Sequence, residues 1–129
     1  MSEQIRILVV DDQPRARQSL KVLLATCPQV KEVNEAALAR EAVRMMEESP
    51  SDVVLMDVRM PEVNGLQATR RIKAKWPQVK VIILTLYAEY AAEAQAAGAD
   101  AFVCKGEPPA RLLTIWTELG NVQAERGAR

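Results

Sequence analysis

Short apolar runs alternate with longer amphipathic stretches along most of the chain. Ile5–Val10 (IRILVV) is a β-rich apolar run, and after Pro14 the residues Leu20, Leu23 and Leu24 fall at helical spacing. Lys31–Glu35 predicts a second strand centred on Val33. Leu38–Glu48 reads as a helix ended by Ser49-Pro50, because a residue before proline is steered out of the helical region. Asp52–Asp57 (DVVLMD) predicts a buried strand with a carboxylate at its carboxyl end. Asn64-Gly65 marks a turn, and Leu66–Trp76 reads as a helix closed by Pro77. Val79–Thr85 (VKVIILT) is the most hydrophobic strand. Ala88–Ala97 is an alanine-rich helix stopped at Gly98, a natural residue for a helix C-terminus. Ala101–Cys104 is a short strand, and after Pro108-Pro109 a last helix carries Leu112, Leu113, Trp116 and Leu119.

A strand followed by a helix, five times over, with near-continuous apolar strands, implies a parallel sheet covered on both faces and right-handed crossovers. Residues 1–122 hold this pattern as one domain, and 123–129 form a polar tail or the start of a linker. The length of 129 residues suffices to bury a core without disulfide staples. Cys27 and Cys104 are too few and too far apart to suggest a disulfide framework or a metal cluster.

Charge narrows the functional classes. Lys+Arg and Asp+Glu each number 17, so no overall field draws the chain to nucleic acid or to an anionic membrane. The start of the chain does not read as a secretory signal, and no apolar stretch approaches the roughly 18 residues of a membrane span. A cytoplasmic protein without membrane contact is expected. Histidine is absent, which removes Ser-His-Asp, Cys-His and His-metal chemistry and leaves carboxylates, lysine and hydroxyls.

In doubly wound sheets, ligands bind outside the carboxyl ends of the strands. Asp11 and Asp12 follow the first strand, Asp57 ends the third, Thr85 ends the fourth and Lys105 follows the fifth. Singly, each reads as a cap, a turn residue or a solvated charge. Together they gather at one edge, where three carboxylates require either a cation or a raised pKa. An all-oxygen donor set suits Mg²⁺. Such a site fits phosphoryl transfer to a carboxylate, which demands charge neutralisation and in-line positioning. In that reading Asp12 and Asp57 bind the metal directly and Asp11 assists through water. Lys105 and Thr85 take phosphoryl oxygens.

The segments ILVVDDQP, DVVLMDVRMPEVNG, VKVIILT and AGADAFVCK, in this order, resemble the receiver domain of bacterial two-component response regulators over Ile5–Asn121. The resemblance implies a flavodoxin-like α/β fold, a five-stranded parallel sheet of order 2-1-3-4-5 with five helices. It makes Asp57 the phospho-acceptor and Asp11 and Asp12 the acidic pair, with the main-chain carbonyl of Arg59 as a further Mg²⁺ ligand. It makes Thr85 and Phe102 a coupled switch pair and Lys105 the site lysine. It implies a sensor histidine kinase as donor and a switching surface on helix 4, strand 5 and helix 5. The domain would assist its own phosphorylation and dephosphorylation without being an enzyme in the ordinary sense. Met60-Pro61, Leu86 and Pro108-Pro109 resemble the subfamily with a LuxR-type helix-turn-helix output. Control of transcription is then expected, with DNA reached only through an output domain that this chain does not contain. A homodimer on phosphorylation is expected through the last helix and the alanine-rich helix.

Three departures flank the site: Gly106 stands where many receivers have proline, a bulky Leu86 and then Tyr87 follow Thr85, and Arg59 lies two residues past the acceptor. Arg59, Leu86 and Tyr87 offer no group to orient a water, and are expected to shield the phosphoryl group. A phosphohydrolase reading lacks a second acidic motif. A flavodoxin-like cofactor site lacks a phosphate-cradling loop, since Asp11 and Asp12 would repel the phosphate. A docking module with a decayed site would have lost one of the five site residues, and none is missing.

Overall fold

The computed structural model describes residues 4–105 together with Arg111, Thr114 and Ile115. The elements are β1 (Ile5–Val10), α1 (Pro14–Leu24), β2 (Val30–Ala36), α2 (Ala39–Glu48), β3 (Val53–Met56), α3 (Gly65–Lys75), β4 (Lys80–Thr85), α4 (Ala91–Ala96) and β5 (Ala101–Cys104). The strands pair in parallel in the order β2-β1-β3-β4-β5, as the resemblance implies. Arg111, Thr114 and Ile115 are helical, while Leu112, Leu113, Trp116 and Leu119 of the expected last helix lie outside the described residues, as do Gly106 and Pro108-Pro109.

β1, β3 and β4 are buried on both faces, which is why they read as unbroken apolar runs. Leu8, Val10, Val54, Met56, Val81 and Ile83 point to one face, where Ala42, Met46, Leu66, Ile72 and Ala94 of α2, α3 and α4 cover them. Ile7, Val9, Leu55 and Ile82 point to the other, against Leu24 of α1 and Ile115. β2 lies at the edge and buries only Ala36 fully, which explains its weak apolar signal.

The alanine-rich helix departs from expectation at its start. Ala88–Tyr90 is a 3-10 turn, and the α-helix begins only at Ala91, with Ala94 its one fully buried residue. Tyr87 and Tyr90 give no side-chain cap, and alanine methyls bury little apolar area. Gly98 follows in the left-handed region (φ 96°), as expected of a helix-terminating glycine. Below it, the Lys73 ammonium binds the carbonyls of Pro77 and Val79 and the Asp100 carboxylate at 2.8–3.0 Å. This cluster fixes the sheet edge opposite the acidic one.

Candidate functional site at the carboxyl edge of the sheet

The ladders around β1 each end on an aspartate. The Asp11 N–H donates to the Ala36 carbonyl at 3.1 Å, and the Asp57 N–H donates to the Val10 carbonyl at 3.0 Å. Strand pairing therefore brings two residues 46 positions apart to one edge. Asp11 and Asp57 are buried and Asp12 is half-buried. One carboxylate oxygen from each lies within 4.8 Å of the others.

Lys105 reaches the same place from β5. Its N–H donates to the Thr85 carbonyl at 2.7 Å, and its ammonium donates to Asp11 Oδ2 at 2.5 Å and Asp57 Oδ2 at 3.4 Å. The second contact lies at the weak end of the hydrogen-bond range. Asp57 Oδ1 accepts the Val58 N–H at 2.8 Å, and Asp11 Oδ1 accepts the Gln13 N–H at 2.9 Å.

α3 starts directly against this edge. The Gly65 N–H donates to the Val58 carbonyl at 2.8 Å, and Asn64 caps the helix reciprocally with Gln67. A Cβ on Gly65 would sit 1.8 Å from the Asp57 carbonyl oxygen, so only glycine permits the approach.

Two of the three carboxylates, Asp11 and Asp57, share one lysine, and the balance is unfavourable to Asp57. Burial pushes its pKa up, the Lys105 charge pulls it down, and the Asp11 charge adds to the rise. The carboxyl stays above its ordinary value despite its ion pair. For Lys105, burial favours the neutral form, but the hydrogen bond to Asp11 and the Asp57 charge outweigh it and hold the ammonium above the ordinary lysine value. The two directions agree: the cluster carries more negative charge than its lysine neutralises. A hard dication fits that excess and the all-oxygen donor set. Asp12 and Arg59 line an open cavity of about 430 Å³ together with Val58, Met60, Pro61, Asn64 and Tyr90.

Thr85 is fully buried, and its Oγ1 accepts the Tyr87 N–H at 3.4 Å. It shares a sheet face with Ile83, whose register partner is Phe102. Phe102 is half-buried against the core beneath α2, α3 and α4. The structure thus gathers Asp11, Asp12, Asp57, Thr85 and Lys105 at one edge, with Phe102 one register step away on the Thr85 face.

The residues expected to shield the site are arranged differently. The Arg59 guanidinium lies over the Tyr87 ring, 4.5 Å from its centre, rather than against Asp57. Tyr87 in turn meets the edge of Tyr90 at 6.2 Å. Leu86 is 67% exposed, and neither Leu86 nor Tyr87 lines the cavity beside Asp12. Tyr90 does, and sequence reasoning missed it, as it missed the close approach of Gly65 to Asp57.

The family model described as the response regulator receiver domain matches residues 7–117. The chain belongs to that family. It is 37% identical over 111 residues to the uncharacterized transcriptional regulatory protein YhcZ of Bacillus subtilis, covering 84% of this chain and 52% of YhcZ. Among solved structures, a LuxR-family two-component response regulator from Aurantimonas sp. SI85-9A1 superposes with a TM-score of 0.85 at 34% identity, over 92% of this chain and 87% of that one. The response regulator TrrA of Thermotoga maritima, solved in complex with Mg²⁺-BeF, superposes with a TM-score of 0.83 at 32% identity, over 90% and 99%. The chain spans about half the length of the curated relatives it matches. No helix among the described residues is long and apolar enough to cross a membrane.

Proposed function

We propose that this receiver domain takes a phosphoryl group onto Asp57 from a phosphohistidine of a sensor kinase, with Asp11, Asp12, Asp57 and the Arg59 carbonyl as the metal-binding groups. The observation that carries the reading is the shared lysine: three carboxylates converge, and among the described residues Lys105 is the cation that pairs with them, reaching Asp11 and Asp57. An Asp57 carboxylate oxygen forms a bond to phosphorus as the phosphorus–nitrogen bond of the donor breaks, and the departing imidazole takes up a proton. Mg²⁺, when bound, supplies neutralisation of the phosphoryl oxygens. Lys105 already reaches both Asp11 and Asp57 and offers its ammonium to the incoming group. The buried Thr85 hydroxyl offers a hydrogen bond, and Phe102, on the same face, carries the change outward to α4 and β5.

The Mg²⁺-BeF complex of TrrA supports the choice of metal, and the transcriptional regulator YhcZ supports an output in transcription through a DNA-binding domain. Self-association on phosphorylation is the route proposed to that output.

Intact-mass measurement with acetyl phosphate and Mg²⁺ tests the site. One phosphoryl group should appear on the wild-type chain and none on Asp57→Asn or after chelation. Labelling of Asp57→Asn at the wild-type level overturns the assignment.

A further inference from the structure

We infer that Arg17, on α1, is a positioning residue for the acidic pair: it holds the peptide joining Asp11 to Asp12, and Glu35 at the end of β2 holds Arg17. This rests on the metal-binding reading of those carboxylates.

Every hydrogen-bonding group of Asp11 is engaged. Its N–H goes to the Ala36 carbonyl, one carboxylate oxygen to the Gln13 N–H and the other to Lys105. Its carbonyl accepts a bond of 2.6 Å from an Arg17 terminal nitrogen, Nη1, a charge-assisted contact at the short end of the range. That oxygen lies in the plane of the peptide leading to Asp12. Fixing it fixes the turn of that peptide, and so the direction from which the Asp12 side chain leaves the backbone.

Gln13 occupies the position before α1 and makes no side-chain cap. The Arg17 N–H bonds the Gln13 carbonyl at 3.2 Å, so the same residue ties down the loop by its backbone as well. Its side chain folds back toward the helix start, the direction in which helical side chains lean.

The far side of the guanidinium is also occupied. Arg17 Nε donates to Glu35 Oε1 at 3.1 Å, and the Lys21 ammonium donates to Glu35 Oε2 at 2.9 Å. Arg17 is mostly buried here, whereas Glu35 and Lys21 are about one-third exposed. The hydrogen bond from Lys21 leads in holding the Glu35 carboxyl below its ordinary pKa; burial opposes it, and the Arg17 hydrogen bond and the two positive charges add to the lowering. A guanidinium held by both a carbonyl and a carboxylate has its fork fixed in one orientation.

The rival reading is that Arg17 and Glu35 only brace α1 against β2. The sign of one measurement separates them. Removing a cation from beside an acidic cluster raises Mg²⁺ affinity if electrostatics alone act. Loss of positioning lowers it. Isothermal titration with Mg²⁺ is performed on the unphosphorylated chain, with thermal unfolding in chelator to register any bracing role. Arg17→Met keeps the packed stem and should weaken Mg²⁺ about tenfold, the usual scale for residues that orient metal ligands. Arg17→Lys keeps the charge and reaches only one of the two acceptors, and should fall between the two. Mg²⁺ affinity that is unchanged or tighter in either variant overturns the proposal, whatever happens to stability. Failure of the wild-type chain itself to bind Mg²⁺ overturns the underlying metal-site reading instead.

Discussion

Replacing Asp57 with asparagine should stabilise the metal-free protein. Each neighbouring carboxylate lies within 4.8 Å of Asp57, and the Lys105 ammonium lies 3.4 Å away. At an effective dielectric of about 20, each repulsion is worth about 3 kcal/mol and the attraction about 5 kcal/mol. The net penalty on the Asp57 charge is about 1–2 kcal/mol, reduced by solvent and salt around the partly exposed Asp12 and Lys105 and increased by the burial of Asp57 itself. Asp57→Asn keeps the shape and an acceptor for the Val58 N–H and removes the charge. Stability should rise by about 1 kcal/mol, a melting shift of about 4 °C for a domain of this size. Differential scanning calorimetry in chelator measures it.

The pH dependence follows from the raised pKa of Asp57. Above its ordinary value of 3.8 the unfolded chain is ionised at this position, while the folded chain holds its proton to a higher pH. The folded state then binds more protons, so wild-type stability falls as pH rises through that window. The advantage of Asp57→Asn should therefore shrink as pH falls through the folded-state pKa. Mg²⁺ should close the gap from the other side by stabilising the wild type more than the variant. A destabilised Asp57→Asn protein in chelator would mean that Lys105 dominates and that the cluster has no excess charge for a dication to meet.

Gly65→Ala should cost about 3 kcal/mol or more, because its methyl would overlap the Asp57 carbonyl oxygen at 1.8 Å; denaturant unfolding checks this, and a loss under 1 kcal/mol would refute the close approach. Glu62 is the non-glycine residue with positive φ (69°) among those described, and its ion pair with Arg40 is exposed. Glu62→Asn should therefore gain about 0.5 kcal/mol in the same assay, since asparagine tolerates that region better. Decay of phosphorylated Asp57 should quicken in Arg59→Asn with Tyr87→Glu, which removes the stacked pair and adds groups able to orient a water; unchanged or slower decay would show that the pair does not shield the site.

The carboxyl-edge residues were legible because their positions follow from the strands. A central parallel strand must be apolar on both faces, so the first polar residue after each run marks where it leaves the sheet. Asp11, Asp57, Thr85 and Lys105 could be placed that way without knowing any contact. Arg17 could not. On a helix with Leu20, Leu23 and Leu24 it reads as a solvated cation, and its bond to the Asp11 carbonyl depends on how α1 lies on the sheet. The Arg59–Tyr87 stack was hidden for a similar reason, since it joins loops that only the β3–β4 pairing brings together. The 3-10 start of the alanine-rich segment was hidden by composition: alanine spacing does not reveal where a helix begins when no capping side chain marks it.

The division of Lys105 between its partners gives the site a direction. Asp11 has the closer hold, at 2.5 Å against 3.4 Å for Asp57, so of the two carboxylates that share the lysine Asp57 has the less satisfied charge. A change in charge at Asp57 therefore alters the sharing of the lysine more readily than it disturbs Asp11, whose other groups are all engaged. Lys105 is tied by its backbone to Thr85, Thr85 by its hydroxyl to the Tyr87 N–H, and Tyr87 by its ring to both Arg59 and Tyr90. Tyr90 leads directly into α4. That helix buries only Ala94 and begins in a 3-10 turn, so little apolar packing resists its displacement. The opposite edge is held by Lys73 and Asp100, which fix the end of α3 and the start of β4. A perturbation at Asp57 thus meets a firm scaffold on one side and a loosely anchored helix on the other, and the loosely anchored helix is the one expected to move.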